Sequence, residues 1–230
     1  MRVRIKFSKQ GCMVYVGHLD IMRYFQKAVR RSGIKAEFSQ GFSPHMIMSF
    51  AQPLRVGVSS FGEYFDLDLG YSENEIVPSF EEMTDMLNAV MADGIRIESI
   101  VSIPEDKKNK CMSLVAASVY SFELPDEELL DHLGEYKKQD RILIVNQTKK
   151  SSDEIDIKPM ILDIYNKGTR LVLKCRSGSE SNLKPELFIR SFAEFAGRKY
   201  DPFDYKIQRE DTLAYDKKKK RYVPLDNIIA

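Results

Sequence analysis

Two of the chain's three histidines, His18 and His45, lie in its first fifty residues, with Asp20 two positions after the first. His18 stands where a strand is expected to give way to a helix. A helix start offers free N–H groups and a partial positive charge that suit an anion. An imidazole there titrates near neutral pH and can serve as acid or base. His45 follows Pro44 in a loop opened by Gly41. Glycine lets a backbone approach a ligand closely, and proline fixes the loop's exit. If the two imidazoles converge, one could take a 2′-hydroxyl proton while the other protonates the leaving oxygen, which would be metal-independent RNA cleavage. The plainer reading is that His18 caps the helix or bonds Asp20 as a structural pair. No HxxxH spacing supports a metal, and there is no G-x-S-x-G, no catalytic triad and no cysteine cluster for iron–sulfur, so no metal or cofactor is expected.

The more interpretable chemistry is binding. Arg23, Lys27, Arg30 and Arg31 recur at spacings of four, three and one, which keeps them on one side of a helix over Leu19 to Ser32. Only Asp20 lies among them, so the i, i+4 pairing that usually neutralises such a face is missing. Either they form a solvated face, or they contact phosphate or an acidic partner. Gln40, Gly41, Phe42 and His45 sit in the adjoining Gly-Pro loop and complete a candidate surface for nucleic acid or a protein. The run Lys217-Lys218-Lys219-Lys220-Arg221 reads as a solvated tail or, failing that, as phosphate contacts.

A net charge of +1 hides an asymmetry: residues 1–50 hold nine Lys/Arg against two acids, and residues 51–104 hold two against ten. The two segments could neutralise each other, with Tyr64, Asp66 and Asp68 on one strand face pairing with the basic segment, or the basic one could face outward. Hydrophobic content of 43% with 30% charge suits a globular protein with a real core. No run is long and apolar enough for a membrane span, and the alternating Met1-Arg2-Val3-Arg4-Ile5 is unlike a signal peptide. Three widely spaced cysteines read as reduced thiols. A cytoplasmic location follows as the expectation.

The elements that would position these residues alternate between the two basic periods. Arg2 to Phe7 has period two, with Cys12 to Val16 continuing as strand. Helix follows over Leu19 to Ser32, with Gly33 as its C-cap. Strands are expected over Ile34 to Phe38, Met46 to Phe50 and Glu63 to Leu69. A helix spans Ser79 to Met91, and a strand Ile95 to Ile103 whose alternation changes phase midway. Glu105 to Lys110 reads as a linker. Beyond it come strand Leu114 to Leu124, helix Asp126 to Tyr136, strand Ile142 to Val145, a hairpin turn over Lys149 to Asp153, strands Asp156 to Tyr165 and Thr169 to Lys174, helix Pro185 to Ala196 and strand Tyr205 to Tyr215. The reading is α+β: two tandem ferredoxin-like (βαββαβ) domains, mainly antiparallel, over 1–104 and 111–230, the second with an extra strand.

The motifs Gly17-His18-Leu19-Asp20-Ile21-Met22-Arg23, Ala28-Val29-Arg30-Arg31-Ser32-Gly33, Ser39-Gln40-Gly41-Phe42-Ser43-Pro44-His45, Pro53-Leu54-Arg55-Val56-Gly57 and Glu63-Tyr64 resemble the DUF2344 family, the radical SAM-linked proteins of bacteria. Asp156-Ile157-Lys158-Pro159 and Leu183-Lys184-Pro185-Glu186-Leu187 fit its second half. The resemblance implies a companion of a radical SAM protein, with the chemistry elsewhere, since this chain has no CxxxCxxC motif. It also implies a link to RNA or ribosomal components, and it carries over no catalytic residues. Three functions are therefore expected to compete: an accessory protein holding RNA or a ribonucleoprotein for a radical SAM enzyme, a nuclease using His18 and His45, and a protein–protein adaptor.

Overall fold

A computed structural model describes residues 1–147 and 152–228. The chain is α+β with a mostly antiparallel sheet, and it forms two compact units: Met1–Ala116 with Asp211–Ala230, and Ala117–Glu210. The first unit carries β1 (Arg2–Lys9), α1 (His18–Ser32), β2 (Met48–Phe50), β3 (Ser59–Asp68), α2 (Phe80–Asn88), β4 (Ile95–Ile103) and the short α3 (Cys111–Leu114). The order β4-β1-β3-β2 is antiparallel throughout. Strand alternation puts Val3, Ile5, Phe7, Phe65 and Leu67 on one face, where Ile21, Phe25 and Val29 of α1 and Met83 and Leu87 of α2 pack on them. Phe25, Phe50 and Phe65 form an aromatic knot, with ring centroids 4.8 to 5.8 Å apart.

The opposite face of that sheet is covered by the chain's own later segments. Ala51, Tyr64 and Cys111 bury against Ala214 and Leu225 in a second core. Arg4, with no exposed surface, forks onto Asp66 at 2.8 and 3.2 Å and donates to the carbonyls of Asn109 and Leu225. Arg2 binds Asp68 and the Glu105 carbonyl. Tyr64 donates to Asp211 at 2.6 Å, and burial together with the Asp211 and Asp226 carboxylates drives its phenol far above the ordinary range. Gly62 is needed here, because a Cβ would lie 2.5 Å from the Cα of Asp211. The stretch 105–110, expected as a linker, is thus held on the first unit by Arg2 and Arg4, and the chain passes to the second unit at Ala116–Ala117.

The second unit carries β5 (Val115–Glu123), α4 (Leu133–Lys138), β6 (Leu143–Gln147), β7 (Ser152–Asp156), β8 (Ile161–Lys167), β9 (Arg170–Arg176), α5 (Pro185–Phe195) and β10 (Lys206–Asp216), whose last residues return to the first unit, where β11 (Arg221–Pro224) follows. β8, β9 and β5 lie in that order with β10 beside β5, while β6 and β7 form a separate two-stranded sheet. Phe122, Phe188, Phe192 and Tyr136 fill the core.

Several local expectations are corrected. Gly11–Tyr15 is a 3-10 turn, not strand, because Gly11 takes φ +56° and closes i→i+3 bonds from Met13 to Gln10 and from Val16 to Met13. Ile34 to Phe38 makes only isolated bridges, Ala36 to Leu69 and Phe38 to Met46. Asp156 to Tyr165 is broken by a turn at Lys158–Met160, where Pro159 removes a ladder donor. Asp126 to Tyr136 begins as a 3-10 turn (Glu127–His132) before α4. The lysine run is the turn between β10 and β11 rather than a tail: Asp216 accepts from the Lys218 and Lys219 amides, and Lys220 takes φ +49°. The turn expected over Lys149 to Asp153 falls partly on 148–151, outside the described residues.

Candidate functional site

α1 has the spacing its sequence dictates. Ile21, Phe25, Ala28 and Val29 are buried, Gly17 is the N-cap, and Gly33 ends the helix at φ +81°. Arg23, Lys27, Arg30 and Arg31 are exposed on the other side. Asp20 is a first-turn acid that meets Arg23 at 3.3 Å with both side chains about two-thirds exposed, a weak pair. Arg31 donates to the Val90 carbonyl at 3.1 Å, and the Arg30 guanidinium lies 5.7 Å from the centre of the Phe38 ring. The two arginines are therefore pre-positioned, whereas Lys27 extends without a partner among the described residues.

Phe38 leads into the Gly-Pro loop, which is closed on itself. The Ser39 amide donates to the His45 carbonyl at 2.9 Å, the His45 amide donates to Ser39 Oγ at 3.1 Å, and Ser39 Oγ meets His45 Nδ1 at 2.8 Å. Gly41 takes φ +116°, a conformation L side chains rarely adopt. The clasp holds Gln40, Gly41 and Phe42 outward, and the Phe42 side chain is fully exposed. The structure thus brings the arginine helix and this loop together through Arg30 and Phe38.

His18 and His45 are not brought together. His18 opens α1, half-buried, with its ring edge-on to Phe50 at 5.5 Å, and it neither caps the helix nor bonds Asp20. It lines a narrow recess with Phe7, Lys9, Ile21, Phe50, Gln52, Leu54 and Glu63, whose cavity volume is only about 10 Å³, room for about one water. Burial, and then the charge of Lys9, holds the His18 imidazole below its ordinary value, so it is neutral at neutral pH. His45 lines a different recess with Arg2, Ser49, Asp66, Asp68 and Lys110. Arg2, Asp66 and Asp68 point to one face of the β1–β3 pair, and Phe7 and Glu63 to the other.

Lys9 and Glu63, both almost fully buried beside His18, escaped the sequence reading. Their signal was positional: Lys9 continues the inward series Val3, Ile5, Phe7, and Glu63 begins the series Phe65, Leu67, Leu69. An ionisable residue on an apolar parity is the mark of a buried polar site. Lys9 donates to the Val16 carbonyl at 2.8 Å, which ties the 3-10 turn to β1.

These features describe a class: an α+β protein with a mostly antiparallel sheet, in which an exposed cationic helix adjoins a clasped loop with an exposed aromatic ring. The chain belongs to the DUF2344 family, described as an uncharacterized protein conserved in bacteria, whose model matches residues 2–185. No curated protein matches the chain.

Proposed function

We propose that the chain is a binding protein for RNA, working as the non-catalytic companion of a radical SAM enzyme. The observation that carries the RNA contact is Phe42, fully exposed on a loop clasped by Ser39 and His45, beside arginines fixed by Phe38 and Val90. Exposed aromatics next to ordered cations are what single-stranded RNA needs: a ring to stack a base and guanidinium groups to meet phosphates. The radical SAM partner rests on the family resemblance. Each unit is read as ferredoxin-like; what supports this is the antiparallel order β4-β1-β3-β2 in the first unit, and β8, β9, β5 and β10 in the second.

Titration of a fluorescently labelled single-stranded RNA followed by anisotropy tests the reading. Binding should weaken steeply as salt rises, since each phosphate contact releases counterions. Phe42→Ala should cost roughly ten- to a hundred-fold in affinity, the loss of about one stacked base. A flat salt response, or wild-type affinity in Phe42→Ala, would end it. The nuclease alternative gains no support, because its two imidazoles line separate recesses. An adaptor reading, with the arginine helix on an acidic protein, would be favoured if co-purification survives RNase and is lost in Arg30→Ala/Arg31→Ala.

A further inference from the structure

On the first unit, the segment before α2 presents apolar side chains to solvent although its backbone is well tied. The Ser72 amide donates to Glu75 at 2.9 Å and the Glu75 amide returns to the Ser72 carbonyl at 3.0 Å. Four residues on, Ser79 and Glu82 form a reciprocal capping box at 2.7 and 3.2 Å. Between these two fixed points Ile76 is 93% exposed and Val77 is 41% exposed. Ile76 and Pro78 line a shallow groove with Met86, Glu82 and Asp85.

Single exposed aliphatics are ordinary on a protein surface, but Ile76, Val77, Pro78 and Met86 adjoin one another and are held in place. The charge that lines the groove has one sign, and the cation beside it, Lys35, is already paired with Glu75. Glu82 and Asp85 line the groove, no cation does, and Asp85 has no side-chain partner among the described residues. Hydrogen bonds from Ser79 hold the Glu82 carboxyl below its ordinary value and keep it ionised. A polyanion is repelled from such a surface. A polypeptide that offers apolar side chains flanked by Lys or Arg satisfies both halves of it.

We propose that this groove docks a cationic, partly apolar segment of a protein partner, through side chains other than those of the arginine helix, whose C-cap Gly33 borders it at Met86, and of the Phe42 loop. Apolar anchors would seat against Ile76, Pro78 and Met86, and the partner's cations would meet Asp85 and Glu82, the mode by which amphipathic helices occupy grooves. The chain would then hold RNA on its basic surface and a basic protein on its acidic one.

Calorimetric titration of the full chain with a synthetic amphipathic Leu/Lys peptide tests this, with the matching Leu/Glu peptide as control. The Leu/Lys peptide should bind and the Leu/Glu peptide should not. Ile76→Ser and Asp85→Lys should each weaken binding about tenfold, while Asp131→Lys, at an exposed acid of the second unit, should leave it unchanged. RNA affinity should be the same in Ile76→Ser as in the wild type, so failure here is separate from failure of the RNA reading. The proposal is overturned if the Leu/Lys peptide does not bind, if Asp131→Lys costs as much as Asp85→Lys, or if Ile76→Ser has no effect. It is also overturned if RNA displaces the peptide, or if the chain self-associates in a manner abolished by Asp85→Lys, which would make a second copy the occupant.

Discussion

The first unit holds two sets of cations with opposite fates. On β1, Arg2 and Arg4 alternate with Val3 and Ile5, and the register sets them directly across from Asp68 and Asp66 of β3. Both arginines are buried and bridged to those acids. On α1, Arg23, Lys27, Arg30 and Arg31 share the same charge but face outward, where among the described residues only Asp20 answers them. The difference lies in the element, not the residue type. A strand in a sheet brings a second strand's side chains to each position, whereas a surface helix meets acids only if another element is laid against that face. The compositional asymmetry between residues 1–50 and 51–104 is thus resolved twice: neutralised across the β1–β3 pair and left open on the helix.

The contrast predicts a graded set of outcomes. Arg4→Ala leaves Asp66 buried without its guanidinium and should destabilise the protein by about 3–5 kcal/mol, read by chemical denaturation. A near-neutral result would put the buried pair and the exposed ridge in one class and break the comparison. Arg30→Ala/Arg31→Ala should instead cost about 1 kcal/mol of stability or less, for one carbonyl bond and one ring contact. It should also flatten the slope of log affinity for RNA against log salt by roughly 1.4. Unfolding in that variant, with an unchanged slope, would reverse the assignment.

The smallest expected effect concerns His18. Its folded value lies below the ordinary histidine value of 6.5, so between the two the unfolded chain binds more protons than the folded one. Stability should rise with pH through that window and be level in this respect above it. His18→Asn should flatten that rise in melts collected across pH. An unchanged profile would mean that His18 is not desolvated beside Lys9.

What the sequence disclosed follows the reach of its signals. The arginine spacing and the Gly33 cap of α1 are local, and both are found where expected. Even the phase change in β4 has a structural counterpart: pairing with β1 jumps from Ser99 to Ile97, a bulge at Glu98. The pairing of Asp66 and Asp68 with the basic segment was legible from charge alone. Gly11–Tyr15 was misread because its Cys-Met-Val-Tyr composition suits a strand, while the glycine before it chose a turn. The covering of the sheet's second face by residues beyond 210 left no local trace, since Arg4 and Leu225 meet only through the tertiary structure. Lys9 and Glu63 are betrayed only by parity, each falling on the inward series of its strand.

The return of residues 211–226 to the first unit also sets an order of events during synthesis. The core of Val3, Phe25, Phe65 and Leu87 draws only on residues up to 103, so it can collapse while the rest of the chain is still being made. The core on the other face draws on Ala214 and Leu225, and the acids that meet Lys6 and Tyr64 are Asp211 and Asp226. At a translation rate of about 5–20 residues per second, the newborn first unit spends seconds with one side of its sheet bare. During that interval Tyr64, Cys111 and the forked Arg4–Asp66 pair lie open to any chaperone or stray strand, and the whole second unit is translated before they are closed over.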